Sequence, residues 1–419
     1  MVHISLSPNL EFDDFVAALG RLVFVWDWFG HRGAEKLQIA LVEYFENPQI
    51  YLTASGRGAL YLILKSLDLQ KGDEVITQAF TCNAVANPII WAGAKPIYAD
   101  IDDTFNIDVL KLEKLITPNT RAFIIQHTFG IPARVDEIIK IARRHNIVVI
   151  EDCAHALGAT YKRRKIGTLG DFALFSFGRD KVISSVYGGA VSVNTKELNA
   201  KIEEQYKKSK KSAVFWSLQQ LLHPLLTYPM LLTYNYGGKY FLYLAQKLHL
   251  LSLAVSKGER VGDMPSFISR KMPNVLAYLA HHQFKKLDKL NNHRKNLAKI
   301  YEKELSGNPN FKIVKNYDAG SIFLRYPVKL HHGASPVQIE DAAQVRRDAK
   351  KKGFVLGDWY SGVIAPHGTD LGKMSYAEGM CPTADSSATQ IINLPTNIST
   401  SQKDAIKIIN FLNGYSGNN

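Results

Sequence analysis

Short apolar runs alternate with helix-like segments through the first half of the 419-residue chain, and this alternation restricts the fold more than any other feature. Val75–Ile76, Pro96–Ala99 and Ala122–Ile125 have the length and composition of strands. Ile147–Ile150 is a continuous β-branched run, which suits a parallel strand covered on both faces. Strand, helix and strand repeated in this order predict an α/β domain with a mainly parallel central sheet.

The second half of the chain follows a different pattern. Apolar spacing predicts one long helix from about 273 to 305, a strand at Phe323–Val328 and a final helix near 402–413. We therefore expect a large domain at residues 1–265. The long helix and a smaller C-terminal α+β domain follow at 266–419.

Composition and charge exclude several classes of protein. The three cysteines, Cys82, Cys153 and Cys381, are widely spaced, which predicts a cytoplasmic protein without a disulfide framework. Residues 1–11 lack the basic region and apolar stretch of a signal peptide. The formal net charge is +13, yet neither zinc-finger spacing nor an aromatic RNA-binding motif accompanies it. We expect no nucleic-acid partner and no metal site.

Several reactive or small side chains fall where a parallel sheet binds its ligands, at the carboxyl ends of strands. Asp152 follows the fourth predicted strand, Ser176 ends another apolar run, and Lys181 comes five residues later. The small residues of Thr53–Gly58 precede a helix predicted to begin near Ala59, and they let backbone N–H groups approach an anion. Each feature alone is more often structural: a loop acid, a surface lysine, a plain helix cap. Their combination in this order indicates a site.

A set of ordered segments carries a family resemblance: Ser55–Leu60, Gly72–Ile76, Ala92–Pro96, His127–Gly130, Glu151–Ala159, Phe175–Lys181, Gly188-Gly189, Phe284–Asp288 and Asn393–Pro395. With these segments the chain resembles the DegT/DnrJ/EryC1/StrS family of sugar aminotransferases, which have the fold-type-I architecture of pyridoxal-phosphate enzymes. The resemblance runs from about residue 40 to the end, interrupted only between 213 and 260.

The resemblance implies pyridoxal 5'-phosphate as the cofactor and assigns roles to residues of this chain. Lys181 would hold the cofactor as a Schiff base and then act as the acid–base group. Asp152 would face the pyridine nitrogen and keep it protonated. The phosphate would be held at the helix N-terminus by Ser176, Gly56, Arg57 and Gly58.

The chain also departs from the family pattern at three places. His155 stands where the family commonly has a glutamine that contacts the ring hydroxyl. Cys82 follows a threonine where an aromatic residue often covers the ring, so either Phe80 stacks instead or the ring is held differently. Ser269 replaces an asparagine that reaches the partner subunit, and one of the two basic residues after it could contact the partner's phosphate instead.

The function implied by the resemblance is transfer of an amino group, from glutamate, to a keto-sugar in polysaccharide or glycoconjugate biosynthesis. The sugar would be carried by a nucleotide or a lipid, and the enzyme would be a homodimer. Some relatives replace the lysine with histidine and catalyse dehydration, so Lys181 favours amino transfer. The alternatives are a pyridoxal-phosphate-dependent sugar dehydratase or isomerase, and a catalytically idle homologue that acts as a binding module.

An extended aromatic-rich insertion occupies residues 213–260, directly after the lysine cluster 207–211. It allows two interpretations. In the first, the insertion is a helical hairpin that packs against the body or the dimer partner. Alternatively, residues 207–256 would lie on the inner membrane face, with lysines at anionic headgroups and aromatic side chains in the interface. No apolar run reaches the length of a bilayer span.

Overall fold

The computed structural model describes residues 4, 7–24, 26–248, 250–315, 317–330 and 341–415. The helices are α1 Phe12–Val23, α2 Trp26–Phe29, α3 Arg32–Phe45, α4 Gly56–Ser66, α5 Asn83–Trp91, α6 Val109–Leu112, α7 Val135–Arg144, α8 Lys196–Lys208, α9 Val214–Leu232, α10 Gly238–Lys247, α11 Asn274–Phe284, α12 Leu287–Leu305, α13 Ala342–Lys351, α14 Pro382–Gln390 and α15 Gln402–Asn413. The strands are β1 Ile50–Thr53, β2 Glu74–Gln78, β3 Thr81–Cys82, β4 Lys95–Ala99, β5 Thr120–Gln126, β6 Val148–Asp152, β7 Thr160–Tyr161, β8 Arg164–Lys165, β9 Phe172–Ser176, β10 Gly189–Val193, β11 Phe311–Ile313, β12 Tyr326–Leu330, β13 Ile364–Ala365 and β14 Ile391–Leu394.

A seven-stranded sheet in the order β1-β10-β9-β6-β5-β2-β4 forms the centre of the molecule. The pairs from β9 to β4 are parallel, and β10 is antiparallel to both β9 and β1. The four strands predicted in the first half of the chain, at 75–76, 96–99, 122–125 and 147–150, all belong to the parallel part. The prediction of an α/β fold with a mainly parallel sheet is therefore confirmed.

A second, three-stranded antiparallel sheet has the order β11-β12-β14. Its core joins residues of α12, α13 and α15 to the aromatic ring of Phe80 from the first half of the chain. Because this core draws on both halves, it does not mark a boundary at residue 265, and the division at 265/266 stays a prediction.

Three predicted elements differ in the structure. The long helix is two helices, because Lys286 (φ −97°, ψ 3°) leaves the helical region and its N–H bonds to the carbonyl of Gln283. The strand predicted at Phe323–Val328 begins only at Tyr326, since Phe323 has φ +52°, which a strand cannot accommodate. Helix α4 begins at Gly56 and not near Ala59. The final helix lies at 402–413 as predicted.

The insertion folds as a helical hairpin of α9 and α10, joined through the turn at Gly237. Leu242 and Ala245 of α10 are buried against α9. On its other side α9 meets α1, where the ring of Tyr228 lies 5.7 Å from that of Phe15. The hairpin fold is thus confirmed. Within the described ranges no helix is both long and apolar enough to cross a bilayer.

Candidate active site

A cavity of about 650 Å³ opens at the carboxyl ends of β5, β6 and β9. Asp152 ends β6 and Ser176 ends β9, and both line the cavity, as their positions at strand ends predicted. Of the nine predicted site residues, seven line the cavity: Gly56, Arg57, Cys82, Asp152, His155, Ser176 and Lys181. Gly58 and Phe80 are not among its lining residues.

Asp152 presents a buried carboxylate to this cavity. Its Oδ1 accepts a hydrogen bond of 3.0 Å from the N–H of Ala154. Among the described residues, Oδ2 has no hydrogen-bond donor, so it is available to a ligand. Burial raises the pKa of Asp152, whereas the Ala154 N–H and the positive charge of Lys181 oppose that rise. The carboxylate therefore favours a protonated partner in the cavity.

Lys181 lies in the loop between β9 and β10, and this loop is fixed from behind. The side-chain amide of Asn9 donates to the carbonyls of Lys181 (2.7 Å) and Val182 (3.0 Å). The buried guanidinium of Arg294 donates to the same Val182 carbonyl (2.8 Å) and to the Asn9 side chain (2.8 Å). Burial lowers the pKa of Lys181, and the Asp152 carboxylate partly opposes this effect. A larger share of the amine is therefore uncharged than for a lysine in water.

The N-terminus of α4 forms another part of the cavity wall. Ser55 caps the helix, and its hydroxyl accepts a hydrogen bond of 3.0 Å from the N–H of Gly58. The N–H of Gly58 is thus occupied by the Ser55 cap. A Cβ on Gly56 would lie 2.7 Å from the Cβ and 2.9 Å from the Oγ of Ser176. Glycine at position 56 therefore lets a hydroxyl approach the free N–H groups of the first turn, which is an arrangement that binds anions.

The side chain of Arg57 is bound within the chain. Its guanidinium pairs with Glu259, and Nη2 donates to the carbonyl of Ala254 at 3.0 Å. The side chains of Arg57 and Glu259 are only 10% and 2% exposed. The carbonyl of Glu259 also accepts hydrogen bonds from Asn83 (3.0 Å) and Asn87 (2.8 Å) of α5. The end of the insertion is thereby held against the N-terminus of α4.

His155 is buried, and its contacts define its tautomer. Nδ1 accepts a hydrogen bond of 3.4 Å from the N–H of Phe129, so a neutral ring carries its hydrogen on Nε2. Burial lowers the pKa of His155 well below its ordinary value, and the charges of Lys181 and Arg325 act in the same direction. Nε2 lies 3.4 Å from the hydroxyl of Tyr360. His155 is therefore a neutral hydrogen-bond donor at the cavity wall.

Sequence reasoning missed the aromatic pair that closes the cavity, Trp359 and Tyr360. The ring of Trp359 lies 4.9 Å from that of His155, in a stacked arrangement. The guanidinium of Arg325 and the amine of Lys181 lie 3.5 Å and 4.8 Å from the centre of the same ring. Both residues come from the last third of the chain, and no motif in the sequence around them points to the site. Only the packing of the second core brings them here.

Of Phe80 and Cys82, only Cys82 lines the cavity. Phe80 is fully buried, with its ring 5.4 Å from those of Phe105 and Tyr360. It supports Tyr360 from behind and does not reach the cavity. Cys82 lines the cavity, and burial raises the pKa of its thiol, which keeps it uncharged. Trp359 is the aromatic residue that stands beside Lys181.

The two basic residues after Ser269 are engaged within the chain. Arg270 donates to the carbonyls of Ser266 (2.8 Å) and Lys211 (3.0 Å). The amine of Lys271 lies 4.6 Å from the ring centre of Tyr206. Their predicted contact with a partner's phosphate stays a prediction.

Comparisons with known proteins agree with this geometry. The family model described as the DegT/DnrJ/EryC1/StrS aminotransferase family matches residues 26–413. GDP-perosamine synthase of Caulobacter vibrioides is 46% identical over 149 residues, which are 35% of this chain and 40% of that protein. Spore coat polysaccharide biosynthesis protein SpsC of Bacillus subtilis is 44% identical over 145 residues, 34% of this chain and 37% of that protein. The matched segments therefore span about 40% of these relatives or less.

A solved structure extends the agreement to the whole fold. The putative sugar aminotransferase Spr1654 from Streptococcus pneumoniae, in its PMP form, superimposes with a TM-score of 0.75 at 22% identity. The match covers 98% of this chain and 98% of that chain. The predicted fold class, that of fold-type-I pyridoxal-phosphate enzymes, is confirmed. From the match over residues 26–413, the chain belongs to the DegT/DnrJ/EryC1/StrS aminotransferase family.

Proposed function

We propose that the chain is a pyridoxal-phosphate-dependent aminotransferase, which transfers an amino group from glutamate to a keto-sugar in polysaccharide or glycoconjugate biosynthesis. One observation carries the proposal: the amine of Lys181 and the carboxylate of Asp152 face the same cavity, and each influences the pKa of the other. The names of the relatives, a GDP-perosamine synthase and a spore coat polysaccharide protein, support it.

The residues present fit pyridoxal phosphate at three points. The N-terminus of α4 and the hydroxyl of Ser176 would hold the phosphate, where the missing Cβ of Gly56 leaves room. Asp152 would face the ring nitrogen with its Oδ2, which has no hydrogen-bond donor among the described residues. Lys181 would hold the cofactor through its amine. When bound, the cofactor supplies an electron sink that stabilises negative charge on the carbon that loses its proton.

The chain's own residues then bind, orient and move protons. Asp152 would keep a proton on the ring nitrogen of the bound cofactor, because its buried carboxylate accepts one hydrogen bond among the described residues and would be stabilised by a further N–H. Lys181, with its lowered pKa, accepts a proton at neutral pH more readily than a solvated lysine would. His155 would offer its Nε2 hydrogen to the hydroxyl oxygen on the cofactor ring, and the ring of Trp359 stacks on His155 at the cavity wall.

The cavity also offers unsatisfied donors for an anionic substrate. The Nε atoms of Arg179 and Arg260 are buried and lack a partner among the described residues, and both arginines line the cavity. Such donors suit the carboxylates of glutamate or the phosphates of a nucleotide or lipid carrier. We infer a sugar linked to one of these carriers as the amino acceptor.

We further propose a homodimer, because the fold type that the sequence resembles has its active site at the interface between two subunits. The enzyme would work in the cytoplasm, and residues 207–256 would bring it to the inner membrane face. Size-exclusion chromatography with light scattering tests the dimer. A monomer at micromolar concentration would contradict it.

The chemistry is tested by absorbance and product mass. Purified protein with pyridoxal phosphate should show a visible band that is absent from Lys181→Ala and from the charge-preserving Lys181→Arg. Glutamate should abolish the band, and a panel of keto-sugar nucleotides should restore it with an aminated product. A product that has lost water would instead indicate the dehydratase, and no spectral response to any donor would indicate an idle binding module.

A further inference from the structure

Helix α1 exposes an apolar stripe. Phe12, Val16, Leu19 and Val23 recur at intervals of four, three and four residues, so they share one face of the helix. Their exposed fractions are 63%, 48%, 44% and 64%. Isolated exposed apolar residues are common on protein surfaces, but a whole helix face of them is not.

Helix α10 has two apolar faces, and only one of them is packed against other parts of the chain that the structure describes. Leu242 and Ala245 are buried against α9. The outer face carries Phe241 and Leu244, which are 64% and 48% exposed, and Leu248, directly after the helix, is 59% exposed. Two tyrosines, at positions 240 and 243, flank this outer face and are 69% and 67% exposed. Tyrosine beside leucine and phenylalanine is typical of the boundary between water and lipid.

Helix α9 lies between α1 and α10. The ring of Tyr228 on α9 lies 6.1 Å from Phe12 and 5.7 Å from Phe15 of α1, and α9 packs against α10 on its other side. The exposed side chains of Trp26 (67%) and Phe29 (75%) on α2 follow α1 in the chain. We call the apolar surface of α1, α9 and α10 the hairpin face.

The chain segment that contains α9 and α10 is positively charged. Between Glu204 and Glu259 the chain contains seven lysines and no aspartate or glutamate. The acidic residues of α1 are partly compensated, because the amine of Lys286 lies 2.9 Å from Asp13 and 2.8 Å from Asp14. Two of the lysines, at positions 207 and 208, pair with glutamates of α8. An apolar face flanked by an excess of lysines complements a surface that is apolar inside and anionic outside.

We propose that the hairpin face docks the protein on the anionic surface of a lipid bilayer. The helices lie in the plane of the interface, with Phe12, Phe241 and Leu244 among the acyl chains and the lysines at the headgroup phosphates. This docking is monotopic, in agreement with the absence of a spanning helix in the described ranges. It deepens the proposed membrane contact of residues 207–256 by naming the face that binds, and it stands independently of the proposed amino transfer.

Vesicle flotation tests the proposal with the full-length protein. Wild-type protein should float with vesicles of phosphatidylcholine and phosphatidylglycerol, and remain unbound with phosphatidylcholine alone. The double variant Phe241→Ser and Leu244→Ser should lose at least about tenfold in binding, because two large side chains no longer enter the apolar layer. Leu110→Ser is the matched control: Leu110 is 77% exposed on α6, and its variant should float like wild type.

Wild-type protein that stays unbound with anionic vesicles, or a double variant that floats normally, overturns the proposal. If the wild-type protein does not bind vesicles and the double variant dissociates into smaller oligomers, the hairpin face is an interface between copies of the chain. The single variants at 241 and 244 keep the test open if the double variant does not fold, since exposed substitutions change stability by only about 0.5 kcal/mol.

Discussion

Replacing Glu259 with glutamine should release the end of the insertion from the N-terminus of α4. Glu259 is 2% exposed in its side chain, and its two carboxylate oxygens bind Arg57 and the N–H of Ser256 (2.8 Å). Glutamine preserves the size and one acceptor but removes the charge. The guanidinium of Arg57, 10% exposed, is then left buried without a counter-ion.

The size of the effect follows from this burial. Breaking one partner of a buried ion pair costs about 3–5 kcal/mol. Because glutamine still accepts a hydrogen bond, we expect the lower value, about 3 kcal/mol. Every 1.4 kcal/mol corresponds to a factor of about ten, so the local opening of the insertion end should become roughly 100-fold more frequent.

Amide hydrogen exchange measured by mass spectrometry reads this opening directly. Peptides within 250–262 should exchange roughly 100-fold faster in Glu259→Gln, whereas peptides of β6 should be unchanged. Glu203→Gln is the matched control: Glu203 is 45% exposed and pairs with Lys207, so its loss should cost less than about 1 kcal/mol. A change below threefold in 250–262, or equal acceleration along the whole chain, would refute the reasoning.

Three further predictions concern the cavity itself. Burial lowers the pKa of Lys181, so attachment of pyridoxal phosphate, followed by visible absorbance across a pH series, should have its midpoint below the value of about 10.4 for a free lysine; a midpoint at or above it would contradict the assignment. Gly56→Ala sets a Cβ 2.7 Å from Ser176 and should weaken cofactor binding at least about tenfold, whereas Gly20→Ala, with nothing within 4 Å, should stabilise α1 by about 0.5–1 kcal/mol in urea unfolding. Asn9→Ala removes both side-chain donations to the Lys181 loop and should lower the free energy of unfolding by about 2 kcal/mol; an unchanged urea midpoint would show that the loop is held without it.

Much of the fold was available from the sequence because it depends on local periodicity. Apolar runs of strand length, each followed by a helix pattern, fix the parallel sheet, and the polar residue after such a run lies at its carboxyl end. Asp152 and Ser176 were found in this way, and both line the cavity. Lys181 and Gly56 required the resemblance, since a loop lysine and a small-residue turn carry little information alone.

Other features were decided only by tertiary structure. Trp359 and Tyr360 stand beside Lys181 because the second core packs against the first, and no pattern within their own segment encodes that contact. Phe80, chosen by its closeness in sequence to the expected aromatic position, is buried behind Tyr360 instead. Sequence periodicity reports which face of an element is apolar, but which neighbour covers that face depends on packing between distant segments. This packing placed Trp359 in the cavity, and among the described residues it left the outer face of α10 uncovered.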